Sequence, residues 1–208
     1  MELRSLYDAV IQGEAENVEA GVRGALDAGV AADQILTEAL IPAMAEVGRL
    51  FEAQEYYVPE MLVSAAAMQS GLNLLRPYLS EGAASSAGQV VLGTVKGDLH
   101  DIGKNLVGMM MEGAGFQVVD LGVDVGAEKF IQAIRDGAQI VGMSAMLTTT
   151  MPGMRTIIEA IRSAGLRDQV KIIVGGAPLT SAYAEQIGAD AYAPNASAAA
   201  RIARELLA

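Results

Sequence analysis

The chain has 208 residues, 52% of them hydrophobic and only 4% aromatic, so it can fill a core chiefly with Ala, Val, Ile, Leu and Met. Its formal net charge of −11 repels phosphate backbones and argues against a nucleic-acid partner. It has no cysteine, which excludes disulfides, thiolate metal sites and cysteine nucleophiles.

The first residues, Met1-Glu2-Leu3-Arg4, are charged and lack a signal-peptide core. No apolar run reaches the roughly 18 residues of a membrane helix. The expected location is therefore cytoplasmic, with no membrane partner. Leu3, Leu6, Tyr7, Val10 and Ile11 have helical spacing, and Gly13 ends that segment. Val18 to Ala28 predicts a second helix, closed by Gly29. A third, with Asp33 as its cap, carries Ile35, Leu36, Leu40, Met44, Val47, Leu50 and Phe51. A fourth begins near Pro59, a residue suited to a first helical turn, and runs to Leu75, where Pro77 disturbs it. Four short-looped amphipathic helices predict a bundle over residues 1–80.

Ser80 to Gly88 contains only small and polar residues and predicts a linker over 81–88. Over 89–208 the period changes. Short apolar runs at Gln89–Val95, Gln117–Asp120, Gln139–Met143, Val170–Val174 and Asp190–Ala193 alternate with five helical patterns. Such β-α repeats predict an α/β domain, flavodoxin-like (Rossmann-like), with a five-stranded parallel sheet in the order 2-1-3-4-5. Ligands of these sheets bind beyond the carboxyl ends of the strands, at the switch point.

The loop after the first strand, Lys96 to Gly103, holds the only histidine, His100, with Asp98 two residues before it and Asp101 after it. In an extended loop residues i and i+2 point the same way, so Asp98 can reach one ring nitrogen. A carboxylate on Nδ1 leaves Nε2 as a free lone-pair donor, the way a histidine is prepared for a metal. The pair alone serves equally for a solvated loop histidine or one bonded for structure. A phosphate-binding loop is disfavoured. Gly97 and Gly103 have five residues between them, Asn105 follows Lys104 where a hydroxyl is needed, and Asp98 and Asp101 would repel a triphosphate.

Past the third strand, Ser144, Thr148, Thr149 and Thr150 supply four hydroxyls. Thr150 before Pro152 would serve as a helix cap, but one hydroxyl suffices for that, and Ser144 and Thr148 could line a slot for polar ligand atoms. After the fourth strand, Gly175-Gly176 permits either close backbone approach to a ligand or a simple turn.

The string Gly-Asp-Leu-His-Asp-Ile-Gly-Lys-Asn from Gly97 resembles the Asp-x-His-x-x-Gly signature of cobalamin-binding proteins, with Asp98, His100 and Gly103 in the signature places. Ser144-Ala145-Met146 resembles the family's Ser-x-Leu segment, with Met146 in the leucine place. Gly175-Gly176 and Pro194-Asn195-Ala196-Ser197 resemble the segments that admit and close over the cofactor's nucleotide tail. Residues 50–61 resemble the bundle that caps cobalamin in methionine synthase. The overall likeness is to the small corrinoid proteins of methanol, methylamine and aryl methyl ether methyltransferase systems.

That resemblance implies a cobalamin or related corrinoid cofactor, with His100 as the cobalt's lower ligand. It implies cofactor contacts from Gly97, Asp98, Leu99, His100, Asp101, Ile102 and Gly103 in the first loop. Ser144, Met146, Thr148, Gly175, Gly176 and Ala196 would contribute from the others. Asp98 and Thr150 would complete a proton relay with His100, and Tyr57 and Met61 would shield the upper face, although residues of their type at helical spacing also suit a core. The implied function is a methyl-carrying subunit. Its cobalt takes a methyl group from a substrate-specific methyltransferase and gives it to a methylcorrinoid methyltransferase serving tetrahydrofolate or a thiol coenzyme. A reductive activation protein is a third implied partner. An adenosylcobalamin mutase subunit would need a substrate-binding barrel that this chain lacks. A cobalamin-dependent sensor or regulatory module would need an output element such as a basic helix-turn-helix, which the acidic bundle does not offer.

Overall fold

A computed structural model of the chain describes residues 3–79 and 87–208. Most of the expected linker, residues 80–86, lies outside the described residues. The described residues fall into two compact units, 3–79 with 112–116 and 87–111 with 117–208.

The first unit is helical: α1 (Leu3–Ile11), α2 (Ala15–Asp27), α3 (Ala32–Ile35), α4 (Ile41–Glu52) and α5 (Val58–Leu75). Leu6, Val10, Val18, Val22, Leu40, Met44, Met61 and Met68 recur at helical spacing and are buried, which gives the bundle its core. Gly71 of α5 lets the chain come close to α2: a Cβ there would meet Val18 Cγ1 at 2.8 Å. Where α1 ends, its Ile11 carbonyl accepts hydrogen bonds from Tyr56 Oη (3.1 Å) and the fully buried Ser64 Oγ (2.9 Å). A helix-end acceptor and a buried hydroxyl are thereby both satisfied.

Two helical expectations need correction. Asp33 is not the cap of the third helix; Ala31, in extended backbone, precedes its first residue, and Asp33 lies inside the first turn. Nor is Ile35–Phe51 uniformly α-helical, because Leu36–Leu40 forms a π turn in which the Ile41 N–H donates to the Leu36 carbonyl. Pro42 follows directly. It has no N–H and its ring crowds the carbonyl four residues back, so a widened turn relieves the conflict.

The second unit contains β1 (Gln89–Thr94), α6 (Ile102–Gly113), β2 (Gln117–Asp120), α7 (Ala127–Arg135), β3 (Ile140–Ser144), α8 (Pro152–Ser163), β4 (Lys171–Gly175), α9 (Ser181–Ile187), β5 (Ala191–Ala193) and α10 (Ala196–Leu207). All strands are parallel, in the order β2-β1-β3-β4-β5, as the β-α alternation predicts. Alternate residues serve opposite faces. Val91, Val141, Ile172 and Val174 pack with Phe130 of α7, Ile158 of α8 and Ile187 of α9. On the other face, buried Leu92 lies beside Gly108 of α6, and α10 lines β4 and β5 with buried Ala199, Ala200 and Ala203. Of the Met109-Met110-Met111 triplet, the last two are buried and Met109 is partly exposed. The switch point lies at β1, whose neighbours are β2 and β3, so the loops after these three strands gather at one edge.

Candidate functional site

The loop after β1 opens with a turn closed by its own backbone. The Asp98 N–H donates to the Val95 carbonyl at 3.1 Å, closing a four-residue turn. Gly97, in the third place, has φ +85°, the left-handed value that a type II turn requires there. The turn drives Asp98 inward, where it is fully buried, while His100 keeps a side chain 55% exposed.

Four donors converge on the buried carboxylate. Asp98 Oδ1 lies 2.7 Å from His100 Nδ1 and accepts the His100 N–H at 3.1 Å. Oδ2 accepts the Met146 N–H at 2.8 Å and faces Thr150 Oγ1 at 2.7 Å. Burial alone would raise the carboxyl's pKa. The Met146 amide, the Thr150 hydroxyl, the His100 ring and the His100 amide outweigh it and hold Asp98 well below the usual carboxylate range. Asp98 is thus an anion, and an anion on Nδ1 places the ring proton there. Among the described residues Nε2 makes no hydrogen bond, and it carries the free lone pair.

Thr150 is buried, and its hydroxyl also lies 2.9 Å from the Leu147 carbonyl. Its single proton goes to the stronger acceptor, the carboxylate. The capping alternative for Thr150 does not hold: Met151 precedes α8 without a side-chain cap bond. The loop after β1 and the loop after β3 are therefore joined through Asp98, 48 residues before Met146 and 52 before Thr150.

The remaining predicted residues take several places. Leu99 (72% exposed) and Ile102 (85%) stand out from the His100 loop, and Met146 and Leu147 are exposed on the loop after β3. Large apolar side chains left in water on two linked loops suit an apolar ligand face. Asp101 accepts from the Asn105 side chain at 3.3 Å, and Gly103 has open space around its Cα. Ser144 ends β3, with its carbonyl accepting the Val95 N–H, and Thr148 is exposed. Gly175 pairs with Ser144 at the end of β4. Gly176 has φ +134°, and any Cβ on it would collide with the Ala145 carbonyl. Ala196 is buried as the first residue of α10, which Asn195 caps by accepting the Ala198 N–H at 2.8 Å. In the helical unit Tyr57 is exposed, whereas Met61 is fully buried in the bundle core.

Two features escape the sequence reading. Asp124, after β2, accepts the Gly97 N–H on Oδ1 at 2.7 Å and donates its own N–H to the Asp98 carbonyl at 3.1 Å. Lys104, nearly buried on α6, binds Asp120 Oδ2 (2.6 Å) and Asn105 Oδ1 (2.8 Å). An aspartate two residues after a glycine, just past a strand, was the available signal for the first, and a lysine on an otherwise apolar helix face for the second.

No group of three or more His, Cys, Asp or Glu among the described residues could hold a bare metal ion. A single imidazole with a free Nε2 fits a metal that arrives with its own equatorial ligands. That donor set, together with the exposed apolar rim, fits a corrinoid. Among the described residues no helix is long and apolar enough to cross a membrane.

Comparison with known proteins agrees. Residues 88–201 and residues 2–76 each match a B12 binding domain family. The chain is 44% identical to dimethylamine corrinoid protein 1 of Methanosarcina acetivorans over 99% of its own length and 97% of that protein. It superposes on a cobalamin-binding protein from Desulfitobacterium hafniense with a TM-score of 0.83 at 31% identity, covering 100% of this chain and 99% of the other. With the methanol:cobalamin methyltransferase complex of Methanosarcina barkeri the TM-score is 0.88 at 28% identity, covering 99% of this chain and 79% of that one.

Proposed function

Because the chain belongs to the B12-binding family, we propose that it is the methyl carrier of a corrinoid-dependent methyltransferase system. It would receive a methyl group from a substrate-specific methyltransferase and deliver it to a second, methylcorrinoid methyltransferase. Tetrahydrofolate or a thiol coenzyme would be the final acceptor, and a reductive activation protein would restore the carrier. Names among its relatives support the class: dimethylamine corrinoid proteins, and a methanol:cobalamin methyltransferase complex.

The observation that carries the proposal is the His100 ring, whose Nδ1 is committed to a buried anion while Nε2 is left free. A bound corrinoid supplies a cobalt that is nucleophilic toward methyl groups when reduced and a good leaving group once methylated. His100 Nε2 would hold that metal from below. Asp98 keeps the proton on Nδ1 and fixes the ring, so the lone pair stays aimed. Were His100 to engage or release that metal, the charge on the imidazole would change, and the Nδ1–Oδ1 contact of the His100–Asp98 pair is where a compensating proton would be held. The Thr150 hydroxyl and Met146 amide help keep the buried carboxylate ionised. Ser144, Thr148, Gly175, Gly176 and Ala196 are proposed to receive the cofactor's nucleotide tail. Tyr57 is proposed to shield the upper face, with Met61 buried behind it as packing.

A chain with one histidine permits a clean test. The protein is grown with 15N-histidine, reconstituted with cobalamin and reduced to the paramagnetic state. Its electron paramagnetic resonance spectrum should then show a two-line rather than a three-line splitting from the axial nitrogen. His100→Ala should lose this signature. A three-line pattern in the labelled parent would mean that the cofactor's own base is still bound, and the assignment would fail.

A further inference from the structure

Asp124 takes no part in the Asp98–His100–Thr150 chain, yet it holds the segment that carries it. Its Oδ1 accepts the Gly97 N–H at 2.7 Å, and its N–H donates to the Asp98 carbonyl at 3.1 Å. One residue thus grips the peptides on both sides of the Gly97–Asp98 link. It does so from a φ of +53°, a left-handed conformation that few residues other than glycine, asparagine and aspartate adopt. Its neighbour Val125 is the anchor. Val125 is fully buried, bridges Val95 in parallel and donates its N–H to the Thr94 carbonyl at 2.9 Å. Three residues before Val125, the Gly122 carbonyl accepts the Thr94 N–H at 3.0 Å. Thr94 Oγ1 in turn donates to the His100 carbonyl at 2.9 Å. The loop after β2 therefore holds the first half of the histidine loop, at Thr94, Gly97 and Asp98.

We propose that Asp124 is a positioning residue for the cobalt ligand. Its side chain locks the Gly97 turn so that Asp98 stays aimed at His100 Nδ1 before any cofactor arrives. This rests on the assignment of His100 Nε2 as lower ligand. The exposed carboxylate of Asp124 would otherwise have no need of a left-handed backbone and a backbone N–H partner. Without that acceptor the Gly97 N–H loses its partner, the turn keeps only its backbone bonds, Asp98 N–H to Val95 and Asp124 N–H to the Asp98 carbonyl, and it opens more often, so that the aim of Asp98 is less tightly held.

Three variants separate the side chain from the backbone. Asp124→Asn keeps an acceptor oxygen and tolerates positive φ. Asp124→Gly keeps the backbone freedom and removes the acceptor. Asp124→Ala removes the acceptor and disfavours the conformation. Two readouts are taken on the full chain: the Gly97 amide exchange rate without cofactor, and the cobalamin affinity with the 15N-histidine splitting after reconstitution. In Asp124→Gly, Gly97 exchange should quicken about 10-fold or more, and cobalamin affinity should fall by about 10-fold, the lower end for residues that orient a metal ligand. The fraction of cofactor with the labelled splitting should fall as well. Asp124→Asn should match the parent in all of these. If Asp124→Gly keeps the parent's exchange rate, or keeps its affinity and splitting, the proposal is overturned. So is it if Asp124→Asn behaves like Asp124→Gly. Failure of the ligand assignment itself reads differently, as a three-line splitting in the labelled parent.

Discussion

Asp98 is the residue on which the site turns, because burial and hydrogen bonding pull it in opposite directions. Burial raises its pKa; the Met146 amide, the Thr150 hydroxyl and the His100 ring and amide together lower it further than burial raises it. The folded pKa therefore lies below the unfolded value of about 3.9. Stability from this group is present above that value and is lost as pH falls toward the folded pKa. Asp98→Asn should cost the cofactor-free chain about 3 kcal/mol or more near neutrality, because it leaves His100 and two buried donors facing an amide. In urea melts that gap should narrow as pH drops from 5 toward 2; a gap that does not change in acid would mean the carboxylate is not ionised in the fold. Thr150 separates hydroxyl from methyl. Thr150→Val removes a donor from a buried anion and should cost about 1.5–3 kcal/mol. Thr150→Ser keeps the donor and loses one methyl group, about 1 kcal/mol. Equal losses in the two variants would show that the hydroxyl does not support Asp98.

At the scale of elements, the end of β4 is the tightest place in the second unit. Gly176 combines φ +134° with backbone contact to the Ala145 carbonyl, so no side chain can be accommodated without moving β3 or β4. Gly176→Ala should destabilise the cofactor-free chain by roughly 3–5 kcal/mol, as strain and steric overlap add. Its melting temperature should drop by about 10 °C or more. A loss under about 1 kcal/mol would show that the loop after β3 gives way easily. The elements themselves were legible because short continuous apolar runs and helical patterns of period 3.6 alternate cleanly after residue 88, and such alternation has few topological solutions. The Asp98–His100 contact was legible too, since it depends only on i, i+2 geometry. What stayed hidden depends on neighbours distant in sequence. The Met146 amide reaches Asp98 only because β3 pairs with β1, and Asp124 reaches Gly97 only because β2 does. Hydrophobic period also passes unchanged through Leu36–Leu40, so the π turn is announced by Pro42 alone.

At the scale of the molecule, every residue of the Asp98–His100–Thr150 network and the Asp124 clamp lies within residues 94–150, on strands and loops of one sheet. The first strand needs its lead-in, since the Gly88 carbonyl accepts the Gln117 N–H at 3.0 Å. A fragment of residues 87–208 therefore contains all the groups proposed to grip a corrinoid from below, and none of those proposed to shield its upper face. Reconstituted with cobalamin and labelled with 15N-histidine, it should keep the two-line splitting of the full chain, because the lone pair of His100 is aimed by residues it retains. Loaded instead with methylcobalamin, it should lose the methyl group to light faster than the full chain, because Tyr57 and its neighbours are gone. Matched rates in fragment and full chain would reject the shielding role of the helical unit while leaving the lower ligand intact. Loss of the splitting in a fragment whose circular dichroism shows a folded sheet would mean that the helices help to set the imidazole, and the division of labour drawn from the sequence would be wrong.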